Sequence, residues 1–100
     1  MCALHAACSN GTGELVELLL RWGANVDKVD RERKWTPLQW AVHNGHAHVA
    51  RLLLDSGAAV DANDRMGWTP LHRASWKGHD TVAEVLIAKN AAVNELDNAG

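Results

Sequence analysis

An all-α solenoid, a stack of short helix pairs joined by β-hairpin-like turns, is the fold predicted by this 100-residue sequence. Three observations predict it. The chain coincides with itself at a shift of 33 or 34 residues, each copy carries the punctuation of two helices and a turn, and no copy has enough apolar surface to stand alone. Leu4, Leu38 and Leu71 align, as do Ala7, Ala41 and Ala74, then Gly11, Gly45 and Gly78. The register continues through Leu15, Val49 and Val82, through Leu18, Leu52 and Val85, through Leu19, Leu53 and Leu86, and through Val26, Val60 and Val93. The copies span about 1–29, which is incomplete, about 30–63 and about 64–96, and 97–100 reads as the opening of a further turn. One residue is inserted between Arg31 and Lys34, so that Asp30 to Thr36 is longer by one than Asp64 to Thr69.

The elements follow in order. In the first copy Leu4-His5-Ala6-Ala7 opens a helix without a Thr-Pro start, and Asn10-Gly11-Thr12-Gly13 is the turn into a second helix that Gly23 closes. In the second, Thr36 supplies a hydroxyl N-cap and Pro37 sits at the first helical position, where its missing N–H is no loss. Gly45 ends that helix in the left-handed conformation. A second helix runs over 47–56, with Val49, Leu52 and Leu53 at the i, i+3, i+4 spacing of a buried stripe, and Gly57 closes it. The third copy repeats this with Thr69-Pro70, Gly78 and a helix over 80–89 closed by Asn90. The residues after each second helix are rich in Asp and Asn around one Val, which suits a turn or two-residue strands. A lone helix pair this short does not offset its ordering entropy, so neighbours stack to share one core.

Thr69-Pro70-Leu71-His72-Arg73-Ala74 resembles the Thr-Pro-Leu-His-x-Ala motif of ankyrin repeats, and Gly78-His79, Val93-Asn94 and Asp64-x-x-Gly67 resemble its other fixed points. The middle copy gives Thr36-Pro37-Leu38-Gln39-Trp40-Ala41 and Gly45-His46, and the first keeps Leu4-His5-Ala6-Ala7. The resemblance covers essentially the whole chain. Departures are Gln39 for the motif His, Lys34 where Gly67 stands one copy later, Asn90 for Gly, and the missing Thr-Pro of the first copy.

Composition narrows the function classes. A formal net charge of −2 and 47% hydrophobic residues describe one small globular domain, with no apolar run of membrane-spanning length. Glu14 and Glu17 interrupt the only stretch that could imitate a secretory signal, which points to an intracellular setting, cytoplasmic or nuclear. Val82, Val85 and Leu86 are as apolar as their internal counterparts, so the last copy is expected to leave them uncovered, and the chain reads as a window onto a longer array.

No cofactor, small-molecule substrate or metal is expected. Four of the six His occupy repeat positions, His5 with His72 and His46 with His79, which the resemblance assigns to hydrogen-bonding turns and helix ends. His43, His46 and His48 straddle the helix break at Gly45 without a thiolate or carboxylate to complete a zinc site. Cys2, His5 and Cys8 share one side of a helix and read as a frayed first turn, with Cys8 a small core residue. None of Ser9, Ser56 and Ser75 lies in a strand–turn–helix elbow, and phosphate-binding glycine loops are absent, so the segment is read as non-catalytic.

Positions that differ between copies are free to serve a partner. The resemblance places the concave, partner-facing surface on the turn tips and the exposed side of each first helix. Here those positions are Ser9 and Asn10; Arg31, Glu32, Trp35, His43 and Asn44; and Arg65, Met66, Trp68, Trp76 and Lys77. Three of the five Trp fall among them, with Trp22 near the same edge and Trp40 partly packed. Solvent-facing Trp beside Arg and Met marks a surface that a partner covers. Segments 30–44 and 64–77 hold six Lys/Arg against three Asp/Glu, a net +3, and the remainder four against nine, a net −5. The expected partner is a protein or peptide, acidic or aromatic, bound on Arg31, Trp35, His43, Arg65, Met66, Trp68, Trp76 and Lys77. Two alternatives stand beside it. One is a purely structural spacer in which Trp35 and Trp68 stack on each other, and the other is a surface for single-stranded nucleic acid, for which +3 is thin. The resemblance also implies hydroxylation of the Asn after the repeat's Val, a position filled here by Asn94 alone.

Overall fold

The computed structural model describes residues 2–97, and side chains up to residue 89. Within them the chain forms six helices and no strand: α1 (Ala3–Asn10), α2 (Gly13–Arg21), α3 (Pro37–His43), α4 (Ala47–Asp55), α5 (Pro70–Lys77) and α6 (Asp80–Asp97). The first helices stack as one layer, α1 on α3 on α5, and the second helices as another, α2 on α4 on α6. The three copies are thus the three helix pairs.

Local chemistry starts each helix where the repeat expects, and stops α1 to α5 there. The Thr36 hydroxyl accepts the Gln39 N–H at 3.2 Å, and the Thr69 hydroxyl accepts that of His72 at 3.2 Å. α1 lacks the Thr-Pro start, yet it is a regular helix from Ala3 rather than a frayed turn. The Cys2 N–H is held by His5 Nδ1 at 3.3 Å, and α3 packs along the helix. The turns between copies close like hairpins without forming strands, the Asp30 N–H donating to the Trp35 carbonyl at 3.1 Å and the Asp64 N–H to that of Trp68 at 3.0 Å. Lys34 occupies the left-handed region at φ 60°, where its counterpart Gly67 has φ 81°. The inserted residue is therefore absorbed ahead of the same turn geometry.

One core runs through the stack. Leu4, Cys8, Val16, Leu38, Val49, Leu53, Val82 and Leu86 are buried and belong to a single apolar cluster. Val82, Val85 and Leu86 do not lie uncovered as expected; they are 1%, 7% and 0% exposed. α6 packs on α5 of its own copy and on α4 of the preceding one, and these cover the stripe. The large apolar residue that α6 turns outward among its described side chains is Ile87, and on α2 Leu15 and Leu18 do the same.

The helix expected to close at Asn90 continues to Asp97. Gly23 and Gly57 adopt φ 89° and 96° after α2 and α4, whereas residue 90 is Asn and is followed by Ala91-Ala92, strong helix formers. Asn94 falls on this stretch, and its side chain lies outside the described residues, as do residues 98–100 of the expected further turn.

Successive copies are latched by histidine. The His46 ring donates from Nε2 to the Ser9 carbonyl at 3.0 Å, and His79 repeats the bond to the His43 carbonyl at 3.1 Å. Each ring packs against the left-handed glycine of the copy before. A Cβ on Gly11 would come within 2.6 Å of the His46 ring, while one on Gly23 would meet nothing within 4 Å. Gly23→Ala should therefore cost about 1 kcal/mol, the left-handed strain alone. Gly11→Ala should cost at least about 2 kcal/mol, because the ring must also leave the Ser9 carbonyl. Urea unfolding of the two variants checks the difference.

Candidate interaction face

The turn tips and first helices carry an interlocked row of rings and guanidinium groups. Three repeat positions build it: the residue before the helix-capping Thr, and the fourth and seventh residues of the first helix. In the second copy these are Trp35, Trp40 and His43; in the third they are Trp68, Arg73 and Trp76. Trp35 lies 4.7 Å from Trp40, edge-on, and 4.9 Å from His43. Trp68 stands edge-on to Trp76 at 5.6 Å, the same pair of positions one copy later.

Arg73 joins the two groups. Its guanidinium lies 4.5 Å from the centroid of the Trp35 ring and 5.2 Å from that of Trp68, and it is ion-paired to the carboxylate of Asp64. Trp35 and Trp68 therefore do not stack on each other; they sandwich an arginine. Arg33 lies over the outer side, 5.1 Å from the Trp35 centroid and 5.6 Å from that of Trp40. Trp35 is consequently 6% exposed, which corrects the expectation that it faces solvent: Trp40, His43, Arg33 and Arg73 enclose it. It is the floor of the face.

The other predicted residues are distributed as follows. Met66 and Trp76 are 78% and 71% exposed, Lys77 and Arg31 are exposed, and His43 and Trp68 are half-buried. Arg65 is exposed but tethered, its Nε and one terminal nitrogen donating to the carbonyls of Glu32 at 2.9 Å and Arg31 at 2.7 Å. It staples one turn tip to the next. Asn44 donates to the Ser9 carbonyl and hydroxyl at 3.1 and 3.0 Å, so this pair links α3 to α1. Asn10 and Glu32 are exposed, Trp40 is half-buried, and Trp22, 82% exposed, caps α2. Arg33 and Arg73 escaped the sequence reading. The available signal was the varying column Ala6, Trp40, Arg73, the unspecified position of the repeat motif.

Two aspartates hold the turns under the face. Burial pushes the Asp64 carboxyl up, but the Trp68 N–H, the Arg73 guanidinium and the Met66 N–H outweigh it and leave the group below the usual carboxylate range. Asp30 behaves alike: burial is outweighed by the N–H groups of Arg33, Trp35 and Lys34. His43 is held below its ordinary value by burial first, then by the positive charges of Lys77, Arg73, Arg33 and His79. Cys8 is sealed in the core, its thiol pushed up to about 12 by burial and by neighbouring Cys2. Among the described residues, no three His, Cys, Asp or Glu side chains gather as metal ligands, and no helix is long and apolar enough to cross a membrane.

Stacked helix pairs with histidine latches and a ring-and-cation face define a repeat protein of the ankyrin class. The chain belongs to the ankyrin-repeat family, whose model, ankyrin repeats in three copies, matches residues 3–97. It is 38% identical over 68 residues to the phosphate system positive regulatory protein PHO81 of Saccharomyces cerevisiae, a match covering 67% of this chain and 6% of that protein. It is 40% identical over 67 residues to protein phosphatase 1 regulatory subunit 27 of Homo sapiens, covering 67% and 43%. The glycerophosphocholine phosphodiesterase gde1 of Schizosaccharomyces pombe is 40% identical over 65 residues, 65% of this chain and 6% of that protein. The matches span less than half the length of these relatives. Ankyrin repeats generally serve as protein–protein interaction modules rather than as catalysts.

Proposed function

We propose that this chain is a non-catalytic binding module, acting inside the cell within a regulatory or scaffolding protein, that presents its Trp/Arg face to a protein or peptide partner. The observation that carries this reading is an exposed Trp76 set on a packed base of Trp35, Arg73 and Trp68, with the exposed Met66 on the adjoining turn. Large apolar side chains anchored on a rigid support lose little entropy when covered, which is the composition of an interface hot spot. The family's general role and the regulatory proteins among its relatives support the same reading.

Trp76→Ala should leave stability within about 0.5 kcal/mol, since most of the ring is already in water. It should weaken partner binding by about 30-fold or more, the scale of a hot-spot truncation. Affinity capture from lysate with wild type and with Trp76→Ala/Met66→Ala, at matched thermal stability, checks this. A partner lost by the variant supports the face, and equal retention moves the spacer reading ahead. Repeating the capture at rising salt separates a nucleic-acid ligand, whose binding falls steeply with ionic strength.

A further inference from the structure

The face carries a positive charge that the fold leaves uncompensated. Its three carboxylates are Asp30, Glu32 and Asp64. Asp64 is consumed by Arg73 and by turn N–H groups, and Asp30 by the N–H groups of Arg33, Lys34 and Trp35. Glu32 alone stays exposed among five exposed cations, Arg31, Arg33, Lys34, Arg65 and Lys77. Among the described residues, ion pairs join only Arg73 to Asp64 and Lys89 to Asp55, and the latter pair lies between the second helices.

The imbalance centres on His43. Its ring leans on Trp35 at 4.9 Å, and its Nδ1 is buried without a hydrogen-bond partner. The groups facing it are cationic or titratable to cations: Arg33 from the preceding turn, Arg73 and Lys77 from α5, and His79 beyond α5. α1, which packs on α3, carries two titratable groups, His5, whose Nε2 is occupied by the Lys28 carbonyl, and the core thiol Cys8. No carboxylate approaches His43 closely enough to support its charge, so the ring is neutral near pH 7.

We propose that this spot seats a carboxylate from an acidic segment of the partner, beside His43 in the field of Arg33 and Lys77, and that docking is coupled to protonation of His43. The proposal rests on the reading of this face as the partner surface. A carboxylate arriving there supplies the opposite charge that the fold omits. It favours the imidazolium, so the complex takes up a proton from the buffer. The sign follows from the direction of the shift: free His43 is held below its ordinary value and a bound carboxylate raises it, so affinity rises as pH falls toward the ordinary histidine value and beyond.

The probe is a short synthetic peptide of Asp and Glu with interspersed Leu, compared with its Asn/Gln counterpart by fluorescence anisotropy at low salt. The acidic peptide should bind about fivefold more tightly at about pH 5.5 than at about pH 7.5, the step that about one unit of pKa rise in the ring gives across this range. His43→Gln should flatten that step, and Arg33→Gln/Lys77→Gln should weaken binding about tenfold at either pH. In the unaltered protein, NMR titration of the His43 ring should show its pKa raised by the peptide, a readout that does not depend on a variant folding. Equal binding of the uncharged peptide, no pH step, or the same step in His43→Gln overturns the proposal. If such a result comes while Trp76→Ala still abolishes capture of the natural partner, the seat is refuted and the face stands. Loss of neither in any variant refutes both.

Discussion

Replacing Arg73 with Met is expected to destabilise the domain by about 3 kcal/mol, because it leaves the Asp64 carboxylate buried without its counter-charge. The expectation lies toward the low end for a broken buried pair, since the N–H groups of Met66 and Trp68 still bind that carboxylate. Removing Arg73 also empties the sandwich between Trp35 and Trp68, so the Trp emission should shift to the red as water reaches the rings. Asp64→Asn keeps the turn's acceptor and removes the charge. The double variant should therefore be more stable than the two single losses predict, with a coupling of about 1–3 kcal/mol read from a denaturation cycle. Asp64 further sets an acid limb. Its carboxyl is held below the unfolded value, so its contribution is complete above that value and is lost as pH falls through the folded one. Wild type should lose stability below about pH 4 more steeply than Asp64→Asn.

Leu53→Ala should cost about 3–4 kcal/mol, a large share of the total available to a domain of this size. Leu53 is fully buried in the middle copy, within the one cluster that all three copies share. A cavity there acts on both of its interfaces. In a stack held by nearest-neighbour contacts, weakening the central unit uncouples its neighbours, so the urea transition should broaden as well as shift. Leu18→Ala, at a repeat position 46% exposed on α2, is the control and should change stability by less than about 1 kcal/mol.

Much of this was legible in the chain. Thr36 and Thr69 cap helices, Gly11, Gly45 and Gly78 take the left-handed region, and the Leu/Val stripes of the second and third copies reach the core as their spacing predicts, whereas Leu15 and Leu18 of the first stay exposed. The candidate face was legible as a set of varying positions, and Met66, Trp76 and Lys77 are exposed there. The burial of Trp35 and the part played by Arg33 and Arg73 were not. Each depends on which side chain of one copy reaches into the next, across 33 or 34 residues, and no local pattern records that contact. The continuation of α6 through Asn90 shows the same limit in reverse. Repeat register predicted a stop there, and the stop is absent where the residue that takes φ > 0 freely has been replaced.

The sequence by itself determined the backbone path over most of the chain: caps, left-handed glycines and hydrophobic period act within a few residues and recur three times. Only the tertiary structure decided which tryptophans are floor and which are open. The reason is physical, since a ring's exposure is set by its neighbours in space, and here those neighbours are Arg33 and Arg73, cations that a reading by residue type assigns to water.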